Sequence, residues 1–312
     1  MLRRANVFVG IVVLSLIWGT AFVAIKETLD SVSPFNLAIL RFAVADVCML
    51  ALMAAWPPAR PRFSGPDLGR VIALGLLGVP GYHLALNWGE ERTSASVAAL
   101  IVATAPVMVA LLSAFASERL RARGAFGIAL AFGGVALLAF TQPSTGSTRT
   151  LVTGLFATLG APVAWAVYTI VAKPLARPGD AMRVTAGSIL VGSVALLPFV
   201  RASTFSEAAA MSAAEWGWVL LLGAGASAAG YVIFVWALGR LGATRVSVSI
   251  YLVPVFALGA AWLICDEPLG LPVLGAAALV VGGVVLAQRG GVATRTEIPP
   301  PTEEPVVTAP DR

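Results

Sequence analysis

Seven residues into the apolar stretch PFNLAILRFAVADVCML (34–50) stands Arg41, too deep to be a loop charge. A charge held in hydrocarbon costs about 3 kcal/mol or more. Arg41 therefore faces other helices or a wet cavity, and it has a partner there. Its guanidinium is always protonated, and its planar fork fits a carboxylate through two parallel bonds. Two readings stand side by side: Arg41 holds the anionic group of a ligand, or it snorkels or pairs structurally, with Asp46 as the first candidate. Asp46 follows five residues later. Five residues turn a helix by about 140°, so the two share no face. A carboxylate at that depth is also a candidate carrier of a coupling proton.

Other polar side chains interrupt the apolar runs. Tyr82, His83 and Asn87 lie in YHLALN, with His83 and Asn87 four apart on one helical face. A lone histidine in such a run is either a hydrogen-bonded packing residue or a titrating group. Lys26 and Lys173 each end an apolar run and fit interfacial snorkelling or a gating role. Glu118 and Glu267 each open a carboxylate-Xaa-Leu turn, where a structural role outweighs chemistry. The two cysteines, Cys48 and Cys265, sit within or beside apolar segments and read as packing residues. One histidine and no zinc-ligand spacing predict no metal site, and no phosphate loop or cofactor motif is present. No cluster of His, Asp or Glu marks a catalytic centre, which disfavours a membrane-embedded enzyme.

The elements that must position these groups are apolar helices. Of 312 residues, 58% are hydrophobic and 12% charged, with a mean hydropathy of +0.89. Soluble domains carry roughly a quarter charged residues, so this composition predicts a polytopic membrane protein bathed in a lipid bilayer. The net charge of +5 does not point to nucleic acid, because the basic residues fall between apolar runs. Ten runs approach the 17–25 residues that cross a bilayer, near 7–25, 35–56, 68–88, 94–116, 124–141, 151–172, 183–200, 215–237, 244–264 and 270–287. With the N-terminus placed in the cytoplasm, fifteen loop Lys and Arg fall inside. Four fall outside: Lys26, Arg92, Arg149 and Arg201. That bias predicts both termini in the cytoplasm of a cell (inner) membrane protein.

The chain also repeats itself. Trp18–Lys26 falls on Trp165–Lys173 at an offset of 147, Tyr82 on Tyr231 at 149, and Gly127 on Gly275 at 148. Pro106 with Glu118 finds its echo in Pro254 with Glu267. Five helices per copy is an odd number, so the second copy enters the membrane inverted. The expected fold is all-α: ten transmembrane helices as two inverted five-helix repeats, 7–141 and 151–288. A Pro-rich, charged tail at 289–312 reads as disordered. Inverted repeats place a substrate site near the midplane, where the halves meet.

The ordered set WGTAFVAIK (18–26), Arg41, SASVAALIVATAPVMVALLSAFASERL (94–120) and GATRVSVSIYLVPVFALGAAWLICDEPL (242–269) resembles the EamA-domain transporters of the drug/metabolite transporter superfamily. The closing glycine-rich helices, GIALAFGGVALLA (127–139) and GAAALVVGGVVLA (275–287), belong to the same pattern. The seventh run shows no arginine matching Arg41, a departure from symmetry. The resemblance implies export of small polar metabolites, amino acids or related compounds, with no cofactor and a small-molecule substrate as the partner. Proton coupling is an open option, and so is the oligomeric state, monomer or homodimer. It also implies that Trp18, Trp165, Tyr168, Tyr231, Trp236 and Tyr251 surround the cavity.

Overall fold

The computed structural model describes residues 2–56, 62–63, 65–116, 119–120, 122–141, 148–177, 179–241, 252–289 and 292–293. Every one of the ten apolar runs carries helix. In chain order these are α1 (Leu2–Leu29), α2 (Pro34–Ala55), α3 (Gly65–Glu90), α4 (Ala95–Val102), α5 (Ala105–Ala116), α6 (Ala122–Thr141), α7 (Thr148–Ala172), α8 (Ala181–Leu196), α9 (Ala202–Ala210), α10 (Ala213–Arg240), α11 (Leu252–Ile264) and α12 (Leu271–Arg289). The spans containing α1, α2, α3, α7, α8 and α10 are each long and apolar enough to cross a membrane. The chain is a multi-pass membrane protein. A two-residue antiparallel ladder, Arg119–Leu120 with Val292–Ala293, supplements the helices.

Two departures from the expected element list have local causes. The run 94–116 is not one helix but two, α4 and α5, parted by a turn at Ala103 and Thr104. Pro106 has no amide proton, and its ring crowds the carbonyl four residues back, at Val102. Thr104 absorbs the break by donating its hydroxyl to the Ile101 carbonyl at 2.6 Å. The second departure is α9, a short helix in the connection before α10, which sequence reading leaves as loop. It docks on the start of α2: Thr204 Oγ1 donates to Asn36 Oδ1 at 2.7 Å, and Glu207 accepts from the Ser33 amide at 2.8 Å.

Small residues let the helices approach. α6 lies along α12, with Gly127 against the backbone of Ala287 and Gly283 against that of Ala131. A Cβ on Gly19 would stand 2.6 Å from that of Phe256, so α1 can lie close along α11 only with glycine there. The pairings α3 with α8 and α2 with α10 exchange equivalent helices of the two copies. So do α1 with α11 and α7 with α5. In each copy the third apolar run loosens into π-helix, at Leu77–Leu84 in α3 and at Leu221–Ala229 in α10. Such segments are rare and frequent at functional sites. Pro80 accounts for the first, since a proline cannot donate to the α ladder.

Candidate substrate cavity

α1, α2, α3, α4, α5, α7, α10 and α11 converge on a cavity of about 60 Å³. Its wall includes Trp18, Phe22, Arg41, Tyr82, His83, Trp165 and Tyr231, with Val102 and Ala105 from either side of the α4–α5 break. The lining is apolar and aromatic with a few polar groups, the usual make-up of a small-molecule site. By volume it holds on the order of four waters. A metabolite enters only if the helices part.

The aromatic residues form one cluster. Trp18 and Trp165 meet edge to face at 5.3 Å, and Trp165 stacks on Tyr168 at 4.8 Å with 7° between the planes. Tyr82 and Tyr231 each approach Trp165 at 5.5 Å. The indole of Trp18 is fixed from outside the cavity, donating to the Ala226 carbonyl in the π segment of α10 at 3.0 Å. A side chain at Gly78 would collide with the Tyr168 ring, 2.9 Å away. Hence the first π segment carries a glycine where the second copy's aromatics enter.

Arg41 is buried, with 3% of its surface exposed. Its Nε donates to Ser227 Oγ at 2.7 Å, and its guanidinium carbon lies 5.9 Å from the centre of the Phe42 ring. Among the described residues no carboxylate comes within ion-pairing distance of it. The structural pairing with Asp46 is thereby ruled out. Asp46 instead faces Ser193 in a separate cleft of about 90 Å³ between α2 and α8, lined otherwise by apolar residues.

His83 Nε2 lies 3.1 Å from the Tyr231 hydroxyl, and that hydroxyl donates to the Gly78 carbonyl at 2.7 Å. A phenol has one proton to give. With it committed to Gly78, Tyr231 accepts from His83, which fixes the imidazole proton on Nε2. Nδ1 is left as a buried acceptor with no partner among the described residues. Arg41 and His83 both line the cavity.

The other candidates fall elsewhere. Asn87 is buried and ties α3 to the start of α2 through the Pro34 carbonyl at 3.0 Å. Tyr168 backs Trp165 without lining the cavity. Trp236 carries the Arg240 guanidinium 4.6 Å from its ring and lies against Gly10 on α1, away from the cavity. Lys26 donates to the carbonyls of Thr93 at 3.0 Å and Glu90 at 3.5 Å, sealing the end of α3. Lys173 is exposed. Tyr251, Glu118 and nearly all of the tail lie outside the described residues. Glu267 caps α4, accepting from the Ala95 and Ser96 amides at 2.8 and 3.1 Å. Sequence reading missed two polar groups. Ser227 hides in the small-residue run LLGAGASAAG (221–230), and Glu90 sits where the hydropathy of the third run gives way to a charged loop.

The profile of the EamA-like transporter family matches the chain twice, over residues 6–140 and 152–288. The chain is 34% identical to a probable terminal-alkyne amino-acid exporter of Streptantibioticus cattleyicolor, over 91% of this chain and 94% of that one. It is 32% identical to an uncharacterized transporter of Archaeoglobus fulgidus, over 87% and 95% of the two chains. A probable amino-acid metabolite efflux pump of Escherichia coli K12 is 30% identical over 90% and 94%. A crystal structure with a TM-score of 0.61 and 22% identity, covering 91% of this chain and 96% of its own, shares the fold.

Proposed function

Because this chain belongs to the EamA-like transporter family of the drug/metabolite transporter superfamily, we propose that it exports small zwitterionic metabolites, amino acids or close relatives, through this cavity. Its family consists of transporters, not enzymes. The observation that carries the substrate class is Arg41: a buried guanidinium at the cavity wall whose Nε is bound by Ser227 and which has no carboxylate within ion-pairing distance among the described residues. A substrate carboxylate supplies the missing counter-charge in fork geometry. The His83 acceptor and the faces of Trp18 and Trp165 suit the substrate's ammonium, by hydrogen bond and by cation–π attraction. The relatives named as a probable terminal-alkyne amino-acid exporter and a probable amino-acid metabolite efflux pump support the same class.

The reciprocal pairing of equivalent helices supports alternating access between inverted halves across the cytoplasmic membrane, with the π segments as the places where α3 and α10 bend. Counterflow in proteoliposomes tests the reading, with an equimolar mixture of the standard amino acids inside and each labelled in turn outside. Uptake of at least one beyond protein-free vesicles is expected; none sinks it. The topology has its own check. In a variant lacking Cys48 and Cys265, a cysteine at Phe205 is expected to label from outside intact cells and one at Gly179 only after permeabilisation. The reverse pattern overturns the orientation.

A further inference from the structure

Glu90, the last residue of α3, is fully buried, and neither of its carboxyl oxygens has a hydrogen-bond partner among the described residues. An ionised carboxylate left dry and undonated is costly, whereas its protonated form is an ordinary neutral polar group. The titratable groups acting on it are Tyr82 on its own helix, Lys26 from α1, Arg41 from α2, and Cys265 and Glu267 from the segment after α11. Glu267 is committed to the amides of α4. Lys26 stands closest by its bonds, yet spends them on the carbonyls of Glu90 and Thr93 instead of the Glu90 carboxyl. One carboxyl therefore sits beside a cation that is engaged elsewhere in this closed arrangement.

We propose that Glu90 is the proton-binding site of the transport cycle. The carboxyl holds its proton while the end of α3 is sealed. When that end opens, the O–H bond breaks, water takes the proton as hydronium, and the Lys26 ammonium turns from the two carbonyls to the new carboxylate. Arg41 links this site to the cavity. A substrate carboxylate seated on the guanidinium changes the charge that acts on Glu90, which couples the two sites. The proposal rests on the transporter reading, and it places the proton on Glu90 instead of Asp46, the carboxylate that the sequence offers as one coupling candidate. Asp46 also has an unpartnered buried oxygen, but its cleft lies apart from the substrate cavity.

The test is difference infrared spectroscopy of the full-length protein in lipid while bulk pH is stepped. The wild type is expected to show an enclosed carboxylic C=O band that titrates, lost in Glu90→Gln and kept in Asp46→Asn. A band that survives Glu90→Gln, or vanishes in Asp46→Asn, overturns the proposal. Should Glu90→Gln fail to fold, the wild type and Asp46→Asn still decide by the second criterion. A flux arm uses the amino-acid-loaded vesicles with an internal pH dye. Protons moved per amino acid are expected to fall to zero in Glu90→Gln and to hold in Asp46→Asn; an unchanged ratio in Glu90→Gln overturns the assignment. Absence of amino-acid movement in the wild type would sink the transporter reading instead, while the infrared band still tests the proton site.

Discussion

Replacing Arg41 with lysine separates charge from geometry at the cavity wall. The ammonium retains the charge, but a single nitrogen cannot both replace the Nε bond to Ser227 and grip a carboxylate at two points. One charge-assisted bond is therefore lost, worth about 1.5–3 kcal/mol. At 1.4 kcal/mol per decade that predicts amino-acid binding weaker by roughly 10- to 150-fold in Arg41→Lys. Arg41→Gln removes the charge as well and is expected to abolish measurable counterflow. The assay is equilibrium binding to purified protein, with folding monitored by thermal unfolding in the same detergent. A substrate analogue carrying a carboxamide instead of a carboxylate completes the cycle: it is expected to bind wild type and Arg41→Gln alike. Parental affinity in Arg41→Lys would refute a two-point carboxylate clamp. Equal weakening of the carboxamide would show that Arg41 shapes the cavity without touching the acid.

Three further outcomes follow from the packing. Glu267→Ala strips two amides of α4 of their acceptor. An N-cap loss of about 0.5–2 kcal/mol is expected, read as a lower unfolding temperature with substrate affinity retained. Gly283→Leu forces α12 away from the backbone of Ala131. It is expected to cost at least the 1–3 kcal/mol or so of ordinary overpacking, because the obstacle is backbone; a wild-type unfolding temperature would contradict the close α6–α12 approach. Tyr231→Phe removes the hydroxyl that bonds the Gly78 carbonyl and leaves His83 Nε2 without its partner, and a loss of about 1–3 kcal/mol in stability is expected. If it binds substrate like the wild type, the fixed histidine tautomer plays no part in recognition.

Hydropathy made the helices legible because hydrocarbon imposes a length and excludes charge, and both constraints act on local sequence. The repeat was legible for a related reason: the prolines, glycines and turn carboxylates that recur at near-constant offset each do a local job. Pro106 shows where local reading fell short. The proline was visible, but whether a helix kinks or parts depends on neighbours able to accept the broken ladder, here Thr104 and the cavity beside it. The aromatics divide in the same way. Trp18, Tyr82, Trp165 and Tyr231 reach the cavity while Trp236 turns towards α1, because helix rotation is set by packing partners far away in sequence. Ser227 gave no signal, since a serine among glycines and alanines is as much a packing residue as a ligand to a guanidinium.

Glu90 escaped notice for a more instructive reason. Its position in GEER (89–92), at the end of an apolar run, is where an exposed charge belongs, and the next residue, Glu91, does pair with Arg92. What buries Glu90 is the arrival of other segments: α1 with Lys26 from one side and the Glu267-capped start of α4 from another. Those contacts join the two copies, because Glu267 belongs to the second and α4 to the first. Glu90 is thus enclosed partly by its own copy, through Lys26, and partly by a segment of the other, through Glu267. Arg41 has the same dependence, for Ser227 lies on α10 of the second copy. Any movement that opens the interface thus changes the surroundings of both charges together. Comparing the Arg41 and Glu90 variants in the same flux assay tests whether the two charges act together.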